Sequence, residues 1–161
     1  MFGPLLASRW RRDVPEFLEA TIDKFIFRVA GDRLYSREGV WTLEEGDRVR
    51  LGLTDYRQQL NGDVAFVHLK PVGTVLVAGE AFAEVETIKA NVSLHSPVAG
   101  RIVEVNGRLD LSPETINQEP YAAGWLAVVV PHDWRRDRSA LLDPSAYLEA
   151  MKAQAEEELS K

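Results

Sequence analysis

The chain contains no cysteine. That absence excludes a disulfide framework, thiolate zinc or iron–sulfur ligation and thiol catalysis. It fits the reducing cytosol, and a cytoplasmic setting is the expectation. Histidine is scarce as well: His68, His95 and His132 are scattered without metal-ligand spacing. No apolar run approaches the ~18 residues of a membrane helix. The opening Met1-Phe2-Gly3-Pro4-Leu5-Leu6-Ala7 stretch is short and precedes its basic residues, so it does not read as a signal peptide. Net positive charge is also missing. A formal charge of −6 argues against general nucleic-acid binding, which needs Lys and Arg to neutralise phosphates. It suits transient docking on basic partner surfaces.

What is present is enough apolar residue for a core, 45% of 161 positions, in a length that suggests one domain with a terminal extension. The extension is residues 1–23. It holds the basic aromatic cluster Arg9-Trp10-Arg11-Arg12, and Pro15–Ala20 reads as a short helix with Asp13 as its cap. Residues 24–131 form the main domain, rich in short β runs: Lys24–Val29, Leu34-Tyr35, Val40–Leu43, Arg48–Leu53, Asp63–Leu69 and a final buried strand Trp125–Val130. Thr54 caps a helix that Asn61-Gly62 stops. Ser112 and Pro113 open a helical turn through Asn117. Residues 132–161 comprise a solvated connection, Arg135–Arg138, and a terminal helix packing on the domain. That helix has Asp143 as cap, Pro144 at its first position, and Tyr147, Leu148 and Met151 on one stripe. Many short strands with helices at the periphery imply a mainly β sandwich or barrel.

The segment from Val72 to Leu109 is organised around Lys89. Gly79 lies ten residues before it and Gly100 eleven after it, each read as a turn between two β-rich runs. The pattern is strand, turn, strand, lysine, strand, turn, strand, which puts Lys89 at a hairpin tip. A tip lysine is ordinarily a solvated charge. Here its neighbours Ile88 and Ala90 are uncharged, and the two flanks resemble each other.

Five strings resemble the H protein of the glycine cleavage system: Leu51–Tyr56, Leu60–Val67, Val85–Ala90, Ser96–Asn106 and Ser112–Leu126. They occur in family order over roughly residues 24–150. The resemblance implies a barrel-sandwich hybrid of the lipoyl/biotinyl-carrier type with lipoate in amide linkage on Lys89. A biotinyl carrier would have Met on both sides of the lysine, and Ile88 and Ala90 speak against that. Lipoyl domains of ketoacid dehydrogenases lack the Pro120-Tyr121…Gly124-Trp125 string and the terminal helix. The implied role is a swinging-arm carrier without catalysis of its own. Its implied partners are a lipoyl-attaching enzyme and dihydrolipoamide dehydrogenase. Glu86 reads either as part of what the attaching enzyme recognises or as an exposed strand residue.

The sequence departs from the family pattern near the arm. Aligned on Trp41, Gly39 and Val40 stand where the family has His and Glu; Leu60 stands for a His and Ser93 for an Asp. Carboxylates would stabilise an aminomethyl cargo by charge-assisted hydrogen bonds. With the polar groups at Val40, Leu60 and Ser93 replaced by apolar or neutral ones, a sulfur-derived cargo is favoured. The favoured reading is therefore an H-like lipoate-binding protein of sulfur oxidation, working with a heterodisulfide-reductase-like complex. The alternative is a glycine cleavage H protein serving the glycine cleavage enzymes. Two further classes compete: an unmodified binding module, and an enzyme using the hydroxyls of Ser93 or Ser96 near His95. The enzyme is the weakest, because no acid partner for His95 is evident in the sequence.

Overall fold

The computed structural model describes residues 15–160; the Arg9–Arg12 cluster lies outside them. The chain is mainly β, with three sheets, short helices at the periphery and a C-terminal helix. β1 (Phe17–Ile22) and β2 (Phe25–Ala30) form an antiparallel hairpin of their own. A six-stranded sheet has the order β3-β4-β5-β11-β10-β7, formed by Leu34–Tyr35, Val40–Glu45, Arg48–Leu53, Ala127–Pro131, Gly100–Val105 and Val75–Leu76. A three-stranded sheet has the order β6-β8-β9, formed by Val64–Leu69, Ala81–Thr87 and Asn91–His95. Val49, Leu51, Ile102 and Val129 of the larger sheet share one apolar cluster with Phe82, Val85 and Leu94 of the smaller. Two sheets sealed by such a cluster make the barrel-sandwich hybrid expected from the sequence.

A second cluster lies on the outer side. There Ile22, Phe27 and Val29 of the hairpin meet Tyr35 and Trp41 of the larger sheet. The C-terminal helix α4 (Pro144–Leu159) closes it with Tyr147, Met151 and Ala155. Asp143 caps this helix by accepting from the Ala146 N–H at 2.8 Å. Tyr147 stacks on Tyr35 with ring centroids 4.6 Å apart. A 16-residue helix is marginal alone. Full burial of Tyr147 and Met151 contributes roughly 1.5–3 kcal/mol each, so docking holds it.

Four local expectations are corrected. Pro15–Ala20 is not a helix: Leu18, Ala20 and Ile22 alternate toward the second cluster, and β2 supplies the hydrogen-bond partners. Gly100 is not a turn residue but opens β10, where an added Cβ would fall 2.2 Å from the Val130 carbonyl oxygen. The turn is Ser96–Ala99, held by the Ser96 hydroxyl donating to the Val98 carbonyl at 2.7 Å. Arg135–Arg138 belongs to a short helix, α3 (Trp134–Arg138), and its Asp137 is buried, accepting from the Ala99 N–H at 2.9 Å. Ser112 acts through its carbonyl rather than its side chain, taking both the N–H and the hydroxyl of Thr115 before α2 (Thr115–Gln118). Thr54, like Asp143, caps as expected, accepting from the Arg57 N–H at the start of α1 (Asp55–Asn61), and Gly62 ends it at φ +85°; Asp13 lies outside the described residues. No helix among the described residues is long and apolar enough to cross a membrane.

Candidate functional site

The strand pairs of the central segment are nested around one tip. Val75 and Leu76 face Arg101 and Gly100, while Val85 and Glu86 face Val92 and Asn91. This nesting is why the two flanks look alike in the sequence. Ile88, Lys89 and Ala90 are left as a three-residue loop between β8 and β9. Thr87 fastens it. Its N–H donates to the Ala90 carbonyl at 2.9 Å. Its hydroxyl accepts from the N–H groups of Lys89 and Ala90, both at 3.2 Å, and donates to the Ala90 carbonyl at 3.1 Å. Such a clamp fixes the backbone under a side chain that remains free to be modified. Lys89 is exposed, and Ile88 beside it is 86% exposed.

The base of the segment is braced by Glu80. Its carboxylate accepts from Lys70 Nζ at 2.9 Å and the Val77 N–H at 3.2 Å. The Lys70 bond, with the Val77 N–H second, holds that carboxyl below the usual range. Gly79 turns the chain here at φ +90°.

The Lys89 stem runs over Gly62, where an added Cβ would sit 3.5 Å from Lys89 Cε. From there it faces a groove of about 350 Å³, within the range of small-molecule sites. Tyr56, Gln59 and Leu60 of α1 form the floor. Phe25 and Phe27 of the first hairpin form one wall; Ala155, Glu158 and Leu159 of α4 form the other. Phe27 meets Tyr56 edge-on at 5.3 Å, and Phe25 stacks with Phe27 at 6.3 Å. Burial raises the Tyr56 hydroxyl above its ordinary pKa. Gln59 ties the wall to the floor by donating to the Ile26 carbonyl at 3.1 Å. These residues fit an acylated lysine: an accessible amine beside a mostly apolar groove able to take a chain of methylenes and sulfur. Among the described residues no cluster of three or more His, Asp or Glu could hold a metal ion.

Of the three positions expected in a cleft near the arm, only Leu60 is there. Val40 is wholly buried, paired with Leu53 and packed into the core between the sheets, so it cannot line a groove. Ser93 pairs with Glu84 and borders a separate depression with His68 and Lys70. Two of the three substitutions expected to favour a sulfur cargo therefore lie away from the groove. Glu86 is half-buried, 3.2 Å from His68 Nε2. Sequence reasoning missed Phe25, Phe27, Tyr56 and Leu159. The Phe25-Ile26-Phe27 alternation was a signal for the first two; nothing local marks Leu159. It also missed a carboxylate on His95: Glu38 Oε1 accepts from the His95 N–H at 2.8 Å, and Oε2 lies 2.6 Å from Nδ1. The Ser96 hydroxyl is spent on Val98, and the pair serves to fasten the turn before β4 onto β9.

A family model described as glycine cleavage H-protein matches residues 33–154. A glycine cleavage system H protein of Thermus thermophilus is 45% identical over 124 residues, covering 77% of this chain and 96% of that protein. The H protein of Anaeromyxobacter sp. (strain K) is 42% identical over 116 residues, covering 72% and 90%. The crystal structure of a glycine cleavage system H protein from Mycobacterium marinum matches with a TM-score of 0.68 at 38% identity, covering 75% of this chain and 97% of that one. These relatives lend no support to a heterodisulfide-reductase-like partner. A match over most of the chain, carried into three dimensions by a solved relative, makes this protein a member of the glycine cleavage H-protein family.

Proposed function

We propose that this chain is a lipoyl-bearing carrier, acylated on Lys89, that moves an aminomethyl group between the enzymes of glycine cleavage. The observation that carries the reading is Lys89 itself, an exposed amine on a clamped hairpin tip in an H-family chain. Lipoate in amide linkage supplies a two-electron dithiol/disulfide couple and a sulfur able to carry a group. The chain's own residues do the rest. Thr87 sets the tip, Gly62 leaves room for the stem, and the β8–β9 hairpin presents the arm at high effective concentration to partner active sites. Acylation removes the lysine charge, which suits the apolar floor of Tyr56 and Leu60. No group of this chain is assigned to catalysis. The partners are a lipoyl-attaching enzyme, the glycine cleavage enzymes and dihydrolipoamide dehydrogenase. Glu86, three residues before the lysine, is assigned to recognition by the attaching enzyme, and E86Q is expected to slow acylation without changing the fold.

The test has two stages. After incubation with the attaching enzyme and lipoate, intact mass should show one lipoyl adduct, absent from Lys89→Arg. The adduct-bearing protein should then support glycine–bicarbonate exchange with glycine decarboxylase. A missing adduct defeats the carrier reading, and an adduct without exchange defeats the aminomethyl cargo.

A further inference from the structure

The outer face of the three-stranded sheet runs up to the Lys89 tip and takes no part in the groove. Its register sets Phe66 opposite Glu86 and His68 opposite Glu84, with Asn91 and Ser93 beyond them on β9. Glu84 and Glu86, two residues apart on one strand, point to the same side. One imidazole on the neighbouring strand serves both. His68 stands directly across from Glu84, and its Nε2 lies 3.2 Å from Glu86 Oε1 on the diagonal. Among the described residues Glu86 has no other hydrogen-bond or ion-pair partner. The remaining charges around the sheet are engaged elsewhere or stand apart. Lys70, two residues on from His68, is held by Glu80 at 2.9 Å. His95 on β9 is held by Glu38. Arg108 and Asp110, on the turn Gly107–Asp110 that packs beside β6, bond neither His68 nor Glu86. The Lys89 stem runs over Gly62 instead.

Resting on the reading of Glu86 as a recognition residue for the attaching enzyme, we propose that His68 is its positioning residue, and that the proton on His68 sets how much negative charge Glu86 presents to that enzyme. A neutral imidazole with its hydrogen on Nε2 donates to Glu86 Oε1. That bond fixes the direction of a carboxylate that keeps its full charge. The second oxygen remains available, because the Glu86 side chain is only half-buried. A protonated imidazole meets the same carboxylate as an ion pair and cancels most of its charge. The face then offers less to a cationic surface, which the acidic chain as a whole is suited to meet. Docking weakens, while the acyl transfer to Lys89 is untouched, since His68 makes no contact with the tip loop. Histidine is the side chain that ordinarily changes charge between pH ~5 and ~8, so the effect falls within reach of an enzyme assay.

The experiment measures KM and kcat for lipoylation of the full chain by one attaching enzyme, at about pH 8 and about pH 5.5, with the adduct counted by intact mass. Each variant is compared with the wild type at the same pH, so the enzyme's own pH dependence cancels. His68→Gln keeps an N–H donor and takes up no proton in this range. The ratio of the wild-type KM to that of H68Q should be roughly two- to fivefold larger at the lower pH, the span of one exposed ion pair, with the kcat ratio constant. When both chains also carry E86Q, the ratio should no longer move with pH. His95→Gln removes the other imidazole that meets a carboxylate on this sheet, and the ratio of wild type to H95Q should stay flat. Circular dichroism shows that each variant is folded. A ratio that ignores pH, or that moves as much with E86Q as without it, overturns the proposal alone. A KM that E86Q leaves unchanged removes the role of Glu86 together with that of His68. Absence of any adduct on the wild type defeats the carrier reading, and mass tells that failure from the others.

Discussion

Lys89, the proposed attachment point, sits on a tip whose conformation is set by a threonine two residues away. Thr87 makes four hydrogen bonds within the loop, so Thr87→Val, which keeps the shape and β-branching, isolates the hydroxyl. Its loss is expected to cost about 1 kcal/mol and to slow acylation, read by urea denaturation and by adduct formation against time. Elsewhere a missing side chain matters more. Gly52 lies under the Trp41 ring, and an added Cβ would approach its Cε2 and Cζ2 atoms to 2.2 Å. The ring cannot retreat freely: its Nε1 donates to the Pro120 carbonyl at 2.9 Å, and the Arg33 guanidinium covers it at 4.6 Å. Gly52→Ala should therefore lower stability by roughly 1–3 kcal/mol through overpacking, seen as a lower denaturation midpoint. The lysine was legible in the sequence because a hairpin tip is a local property, written in the residues on either side. Val40 and Ser93 were not, because depth and facing depend on how the sheets pack: Val40 is buried in the cluster between them, and Ser93 borders a separate depression.

At the scale of elements, the C-terminal helix and the first hairpin tell opposite stories. The start of the helix was readable, since Asp143, Pro144 and the Tyr147–Met151 spacing are short-range signals; its tail, with Ala155 buried and Leu159 on the groove, was not. The hairpin was half readable. Its second strand shows β-rich residues, but its first, Phe17–Ile22, follows Pro15-Glu16 and mixes helix and strand formers, so that pairing with β2 and packing under α4 decide it. Gly100 failed similarly: glycine signals either a turn or a close approach, and only β11 beside it decides. The joint between helix and body is the Tyr147 hydroxyl, 2.9 Å from Thr54 Oγ1, which also caps α1. Tyr147→Phe removes that bond and keeps the stacking on Tyr35. A loss of about 1 kcal/mol is expected, with faster amide exchange in α4 than in β10 or β11.

Over the whole molecule, the four tyrosines link stability to alkali. Burial raises all of them. Tyr147 is pushed up to about 12, Tyr35 and Tyr121 go further in the same direction, and Tyr56 is raised as well. An unfolded tyrosine ionises near pH ~10. Below that both states hold the proton and the contribution is complete; above it the unfolded chain releases protons that the folded one keeps. Stability therefore falls as pH climbs from about 10 toward the folded values. Tyrosinate absorbance and circular dichroism, followed together, should change in one cooperative step. Full ionisation with the dichroism intact would contradict this account.

The end of α4 has a practical consequence at the bench. Leu159 borders the groove, so a fluorescent fusion joined at the last turn of α4 would emerge next to the Lys89 amine proposed for acylation. It would crowd partner enzymes and report falsely low loading. Such a fusion is better placed in an exposed surface loop such as the one around Leu111, itself 91% exposed, and apart from the groove-lining residues.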